Sequence, residues 1–358
     1  MPLPQNHPWL ARATSQSPLV RAYTGQGPGE RRPIWFMRQA GRSLPEYKKV
    51  REGTGMLESC LTPELASEIT LQPVRRHDVD AAIFYSDIVV PLKVAGVGVD
   101  IAPGVGPVVE RPIRGADDLA AVIRDVPGPD ELAPISAGVA LTVEGLGATP
   151  LIGFAGAPFT VASYLVEGRP SRDLLHTKAL MHSDPELWDR LLSWVAELSL
   201  AFLRAQVLAG ASAVQLFDSW AGALSLADYT RFVAPHSARV LAGVADLGVP
   251  RVHFGTATGE LLAAMRDAGA DAVGIDYRIP LDEGIARLGG SVPVQGNIDP
   301  ALLFAPWPVL EAHVRDVVAR GAAAPGHVVN LGHGVPPETD PTVLTRVVEL
   351  VHSIAPAA

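Results

Sequence analysis

The 358 residues are 48% hydrophobic and 19% charged, enough apolar mass for a large core, and this excludes wholesale disorder. Asp plus Glu outnumber Lys plus Arg by 38 to 29, a formal charge of −9; with no basic tail, the balance argues against a general nucleic-acid binder. The single cysteine, Cys60, excludes an internal disulfide and a Cys-rich metal cage and fits a reducing, cytoplasmic setting.

Residues 1–30 are rich in Pro and Gly, lack periodicity and read as a flexible surface arm without a signal-peptide core. Residues 31–356 then form one domain. Eight runs rich in β-branched and aromatic residues follow, at 34–37, 81–85, 151–155, 213–217, 251–254, 272–275, 292–295 and 327–331. They are continuously apolar rather than alternating, as strands buried on both faces are. Helical patterns separate them. The clearest is 185–210, where Leu187, Leu191, Trp194, Leu198 and Phe202 share one stripe. Others are 62–76, 225–244, 260–268, 281–288, 309–319 and 341–354. No 18-residue apolar run is free of charge, Gly and Pro, so no membrane span is expected.

The stretch 91–151 is long for one connection, and its glycines predict a hairpin or excursion before a helix. Eight strands alternating with helices fit an α/β fold of the single (β/α)8 TIM-barrel type, with an N-terminal extension and an elaborated connection after the second strand. A doubly wound open sheet has the same periodicity. The count of eight, and the lack of an early GxGxxG, favour the barrel.

In a barrel the reactive groups stand at the C-terminal strand tips. Those tips read Arg38-Gln39-Ala40-Gly41-Arg42, Ser86-Asp87, Gly156-Ala157-Pro158 with Tyr164 beyond, Asp218-Ser219-Trp220, Gly255-Thr256, Asp276-Tyr277-Arg278, Gly296-Asn297 and Gly332-His333-Gly334. Taken singly, each has a plain structural reading. Arg38 and Arg42 fit a solvated helix face, Arg51 the surface, Asp87 a helix cap, Tyr164 a core aromatic and His333 a turn. Together they put polar or Gly-rich groups on every tip. Several arginines in one pocket of an acidic protein imply an anionic ligand, since guanidinium pairs bidentately with carboxylate or phosphate. No GxxxxGK[ST] phosphate loop is present. Asp87 among arginines suits a ligand that also carries N–H donors. The residues by themselves lead to a polycarboxylate or similar anion of that kind.

Longer motifs go further. PIWFMRQAGR at 33–42 continues into SLPEYKKVR, and GFAGAPFT at 153–160 is followed by SYLVEG. YSDI at 85–88, QLFDSWAG at 215–222, QGNIDP at 295–300 and NLGHGV at 330–335 complete the set. In this order, over about residues 8 to 353, the chain resembles the uroporphyrinogen decarboxylase family. The resemblance implies a (β/α)8 barrel, a homodimer and removal of the four acetate carboxyls of uroporphyrinogen to give coproporphyrinogen, with no metal and no organic cofactor. It places the family's central aspartate, which accepts the pyrrole N–H groups, on Asp87. The carboxylate-binding arginines fall on Arg38 and Arg42, with a further one on Arg51. Gln39, Ala40 and Gly41 lie inside the same substrate-binding motif. Tyr164 corresponds to the tyrosine beside the aspartate and the reacting acetate, and Ser219 and His333 to substrate contacts. Asp87, Arg38 and Tyr164 are thereby the catalytic candidates. Ser43 stands where many members have tyrosine, which changes the pocket wall but removes no charge.

Two rivals share the fold or the ligand. A corrinoid- or thiol-dependent methyltransferase of the same barrel superfamily needs a zinc site with His and Cys ligands, and Cys60 stands far from every strand tip. A non-catalytic tetrapyrrole carrier has no need of Arg38, Asp87 and Tyr164 together.

Overall fold

The computed structural model describes residues 2–11, 14–27, 29, 31–41 and 43–355. Its centre is a curled, wholly parallel sheet of seven strands: β1 (Ala82–Ile83), β4 (Leu151–Gly156), β5 (Ala213–Asp218), β6 (Arg251–Gly255), β7 (Ala272–Gly274), β8 (Val294–Gln295) and β9 (His327–Val328), paired in that order. β2 (Val99–Ala102) and β3 (Gly106–Val109) form a separate antiparallel hairpin. The sheet and its helices make a TIM-barrel-like α/β fold. Strand residues are buried on both faces, as their unbroken apolar runs require.

The first expected strand, 34–37, is reduced to one parallel bridge from Ile34 to Val329. Two backbone hydrogen bonds join it to Val329, and Asp80 N donates to Ile34 O on its other side. The segment therefore touches both edges of the sheet. Pro33, just before it, has no N–H to extend the ladder, and the chain turns at Met37.

Helix Pro185–Ala209 begins at Asp184, whose side chain accepts from Leu187 N at 3.0 Å, and stops before Gly210. It is long and apolar enough to cross a bilayer by length and composition. In the fold its stripe of Leu187, Leu191, Trp194, Leu198 and Phe202 is buried, at roughly 1.5–3 kcal/mol per large apolar side chain. Gln206 on the same helix bonds both Phe154 N and Phe154 O, fastening the helix to β4.

The expected helix 225–244 is two, Leu226–Phe232 and Ala234–Ala242. Pro235 sits in the first turn of the second, where its missing N–H costs nothing, and Val233 leaves helical geometry at φ −127°. The long connection after β1 carries the hairpin and then helices Ala116–Val122 and Ala133–Leu146.

The N-terminal segment departs from the surface arm its composition suggests. Helix Pro18–Tyr23 buries Leu19, Val20, Ala22 and Tyr23 against the N-terminal end of the sheet. Tyr23 reaches inside and donates to Gln295 Oε1, and its hydroxyl accepts from Trp35 Nε1. Thr14 bonds Ser212, and the His7 ring bonds Val207 O. Six helical residues are too few to show a period.

Candidate active site

The rim at the C-terminal strand ends brings Arg38, Asp87, Tyr164 and His333 to one place. Arg38 follows the Ile34 segment. It is exposed and holds a left-handed backbone, φ 61°, uncommon for a residue with a Cβ. Asp87 follows β1 and is half-buried; its Oδ1 accepts from Val89 N at 3.1 Å, so it also caps the turn into helix Val90–Val94.

Tyr164 lies in helix Pro158–Glu167, which starts directly after β4 with Pro158 in its first turn and ends at left-handed Gly168. Burial raises the Tyr164 pKa. The Trp220 hydrogen bond opposes this, the Asp87 charge adds to it and the Arg38 charge opposes it. Tyr164 therefore feels both charges and stays a protonated phenol at neutral pH. The Trp220 ring meets Tyr164 edge-on at 6.0 Å.

His333 follows β9 and is exposed. Its pKa is lowered by desolvation first, then by cationic Arg38 and Arg278. At pH 7 it is a neutral imidazole.

The other predicted positions divide. Ser219 is half-buried at the tip of β5, and its carbonyl accepts from Thr256 Oγ1 at 2.6 Å. Gln39 points inward. It is buried, its Oε1 accepts from Phe36 N and its Nε2 donates to Ala81 O, so it braces the Arg38 turn. Ala40 is half-buried, and Gly41 is buried with its carbonyl accepting from Leu44 N. Arg42 lies outside the described residues. Arg51 donates to Tyr47 Oη at 2.8 Å, Tyr85 Oη at 3.4 Å and Thr54 O at 3.1 Å, with its charge 5.5 Å over the Tyr47 ring. It supplies positive charge behind Tyr85. Ser43 is buried, and its Oγ has no hydrogen-bond partner among the described residues.

The sequence puts Asp276, Arg278 and Gly332 on strand tips but does not give their partners. Asp276 is buried, pairs with Arg278 and accepts from Ala257 N at 2.6 Å. Phe154, Phe217 and Phe254 stack edge-on at 5.4 and 5.9 Å beneath the rim and make an apolar floor. Their two-residue alternation with outward neighbours was the available signal, weak in strands apolar throughout. Gly332 allows close approach: a Cβ there would stand 2.8 Å from Tyr277 Cα.

The rim thus carries a cation, a carboxylate, a phenol and a neutral imidazole, with aromatic rings below.

The uroporphyrinogen decarboxylase (URO-D) family model matches residues 14–354. A uroporphyrinogen decarboxylase of Arthrobacter sp. (strain FB24) is 69% identical over 343 residues, covering 96% of this chain and 99% of that one. One from Salinispora tropica is 63% identical, covering 95% and 91%. Among solved structures, a methyltransferase from Methanosarcina mazei superposes with a TM-score of 0.75 at 18% identity, covering 94% of this chain and 98% of that one. A B12-independent methionine synthase from Shewanella sp. W3-18-1 gives 0.53 at 11%, covering 81% and 87%. At such identities the two structures establish the barrel-like fold alone. The agreement in sequence along almost the whole length decides the family: the chain belongs to the uroporphyrinogen decarboxylases.

Proposed function

We propose that the cleft removes the four acetate carboxyls of uroporphyrinogen III as CO2 to give coproporphyrinogen III, in tetrapyrrole and haem biosynthesis. The observation that carries the reading is Asp87, Arg38 and Tyr164 within electrostatic reach of one another at one mouth, in a chain of this family. The domain is 31–356, and we infer that its sheet closes as a (β/α)8 barrel with the Ile34 segment as the eighth strand. The hydrogen bonds from that segment to Val329 and Asp80 support closure. A cytoplasmic homodimer without nucleic-acid or membrane partners is part of the same reading.

Decarboxylation of a pyrrole acetate leaves an electron pair that needs a sink. Protonation of the ring carbon beside the acetate gives an iminium-like cation. Loss of CO2 sends the C–C electron pair into that cation and leaves an exocyclic methylene. Protonation of the methylene gives the methyl group, and the ring carbon releases its proton. One proton is consumed per CO2. The pyrrole is its own sink, so the chemistry asks for no organic cofactor.

A fixed anion at the ring nitrogens stabilises the cation as it forms, and Asp87 is that anion. Arg38 and Arg42 hold substrate carboxylates, and Arg51 adds positive charge to the wall. Tyr164 donates to the acetate or to Asp87, while Ser219 and neutral His333 hydrogen-bond the substrate. Gln39, Ala40 and Gly41 shape the turn that presents Arg38. Contrary to the expectation that it lies far from every strand tip, Cys60 is close enough to Asp87 to feel its charge; it still speaks against thiol-activating methyl transfer, because it is buried, and desolvation, then Asp87, push its pKa up, opposite to what a thiolate needs.

The test is an anaerobic assay with chemically reduced uroporphyrinogen III and a chelator, products being oxidised and separated by carboxyl number. A ladder from eight carboxyls down to four is expected. Unchanged substrate with folded protein overturns the reading.

A further inference from the structure

We propose that Asn330 and Gly334, on either side of His333, are positioning residues that set where the Arg38 guanidinium stands; this rests on reading Arg38 as a substrate-carboxylate partner. Arg38 sits on a turn with no regular ladder of its own, since the strand before it has shrunk to the single bridge at Ile34. Its left-handed backbone, φ 61°, needs outside support.

The support comes from the tip of β9. Asn330 is fully buried. Its Oδ1 accepts from Met37 N at 2.9 Å and from Leu331 N at 2.8 Å, so one side-chain atom joins the Arg38 turn to the opposite chain segment. Val335 N donates to Met37 O at 2.9 Å. The residue before Arg38 is thus held on both its N–H and its carbonyl by the 330–335 stretch.

Gly334 acts on the side chain. A Cβ there would lie 2.8 Å from Arg38 Cγ, 3.1 Å from Nε and closer still to Cδ. All three are side-chain atoms, and the Gly334 backbone is not left-handed. Glycine is used here for space. It makes the groove in which the Arg38 stem lies, and an added methyl moves the arginine rather than the fold. His333, between the two, feels the Arg38 charge directly. One short loop thus offers a substrate contact and fixes the cation beside it.

The experiment is a double-mutant cycle read by turnover and by equilibrium binding of oxidised uroporphyrin III, followed through tryptophan fluorescence. Gly334→Ala is expected to lower kcat/KM about tenfold and to weaken porphyrin binding severalfold, with an unchanged melting temperature. In the Arg38→Ala background, which has no stem to displace, the same substitution changes binding less than about 1.5-fold. Asn330→Leu lowers kcat/KM to a similar extent, and Asn330→Asp, which keeps the acceptor, restores it to within about threefold. If Asn330→Leu does not fold, the Gly334 cycle decides alone. Wild-type kinetics and binding for Gly334→Ala, or an equal effect with and without the Arg38 side chain, overturn the inference. A wild-type phenotype for Arg38→Ala itself would instead overturn the reading of Arg38 on which it rests.

Discussion

At the N-terminal end of the sheet, Leu19, Ala22 and Tyr23 are fully buried, and the polar groups there close on each other: Trp35 donates to Tyr23, Tyr23 to Gln295, and Gln295 to Gln215. At the C-terminal end, Arg38 and His333 are exposed, Arg38 holds a left-handed backbone, and desolvation, followed by the arginine charges, lowers the His333 pKa. One end carries this internally satisfied chain and is built for stability. The other keeps polar groups directed outward in conformations that cost free energy, as a binding surface requires. Substitutions at the two ends should therefore separate stability from turnover.

The largest effect is expected at the rim. Arg38→Ala removes charge-assisted hydrogen bonds to a substrate carboxylate and should lower kcat/KM about 10³-fold with a melting temperature near wild type, checked by steady-state assay and calorimetry. Loss of folding instead would erase the distinction between the ends. At the closed end the pattern reverses. Leu19→Ala should cost about 2–4 kcal/mol in denaturant titration and leave kcat of the folded fraction within about twofold. Tyr23→Phe strips Gln295 of its donor and Trp35 of its acceptor, and should cost about 1–3 kcal/mol with kcat unchanged.

The smallest effect concerns pH. His327 is buried, its ring bonds Gly296 O, and desolvation lowers its pKa from 6.5 to about 4. The folded chain favours the neutral ring, while the unfolded chain takes up a proton below pH 6.5. The stability this group contributes is complete above 6.5 and falls away as pH drops towards 4. At pH 5.5 the loss is about 1.4 kcal/mol, and His327→Gln, which keeps a donor for Gly296 O but does not titrate, should remove that part of the pH dependence. An unaltered pH dependence of unfolding in the variant would contradict this assignment.

The rim residues Arg38, Asp87, Tyr164 and His333 are legible in the sequence because each stands at or just beyond a strand tip inside a long motif. The stripe on helix Pro185–Ala209 is legible because 25 residues show seven turns of period. Helix Pro18–Tyr23 is not, because six residues do not complete two turns. The strand expected at 34–37 is apolar enough, but Pro33 and the turn at Met37 leave room for one bridge. Gln39 reads as a binding residue from its motif, whereas its amide is used up inside on Phe36 and Ala81. Asn330 and Gly334 cannot be linked to Arg38 from the chain alone, since nearly 300 residues separate partners that only the curled sheet brings together.

The most direct measurement is single-turnover decarboxylation of uroporphyrinogen III by Asp87→Asn, with substrate binding followed separately. A neutral amide of the same shape cannot stabilise the developing ring cation. We expect the rate to fall by about 10³ or more while the dissociation constant changes less than about tenfold. A variant that retains more than about a tenth of the wild-type rate would show that the Asp87 charge is not what the transition state requires.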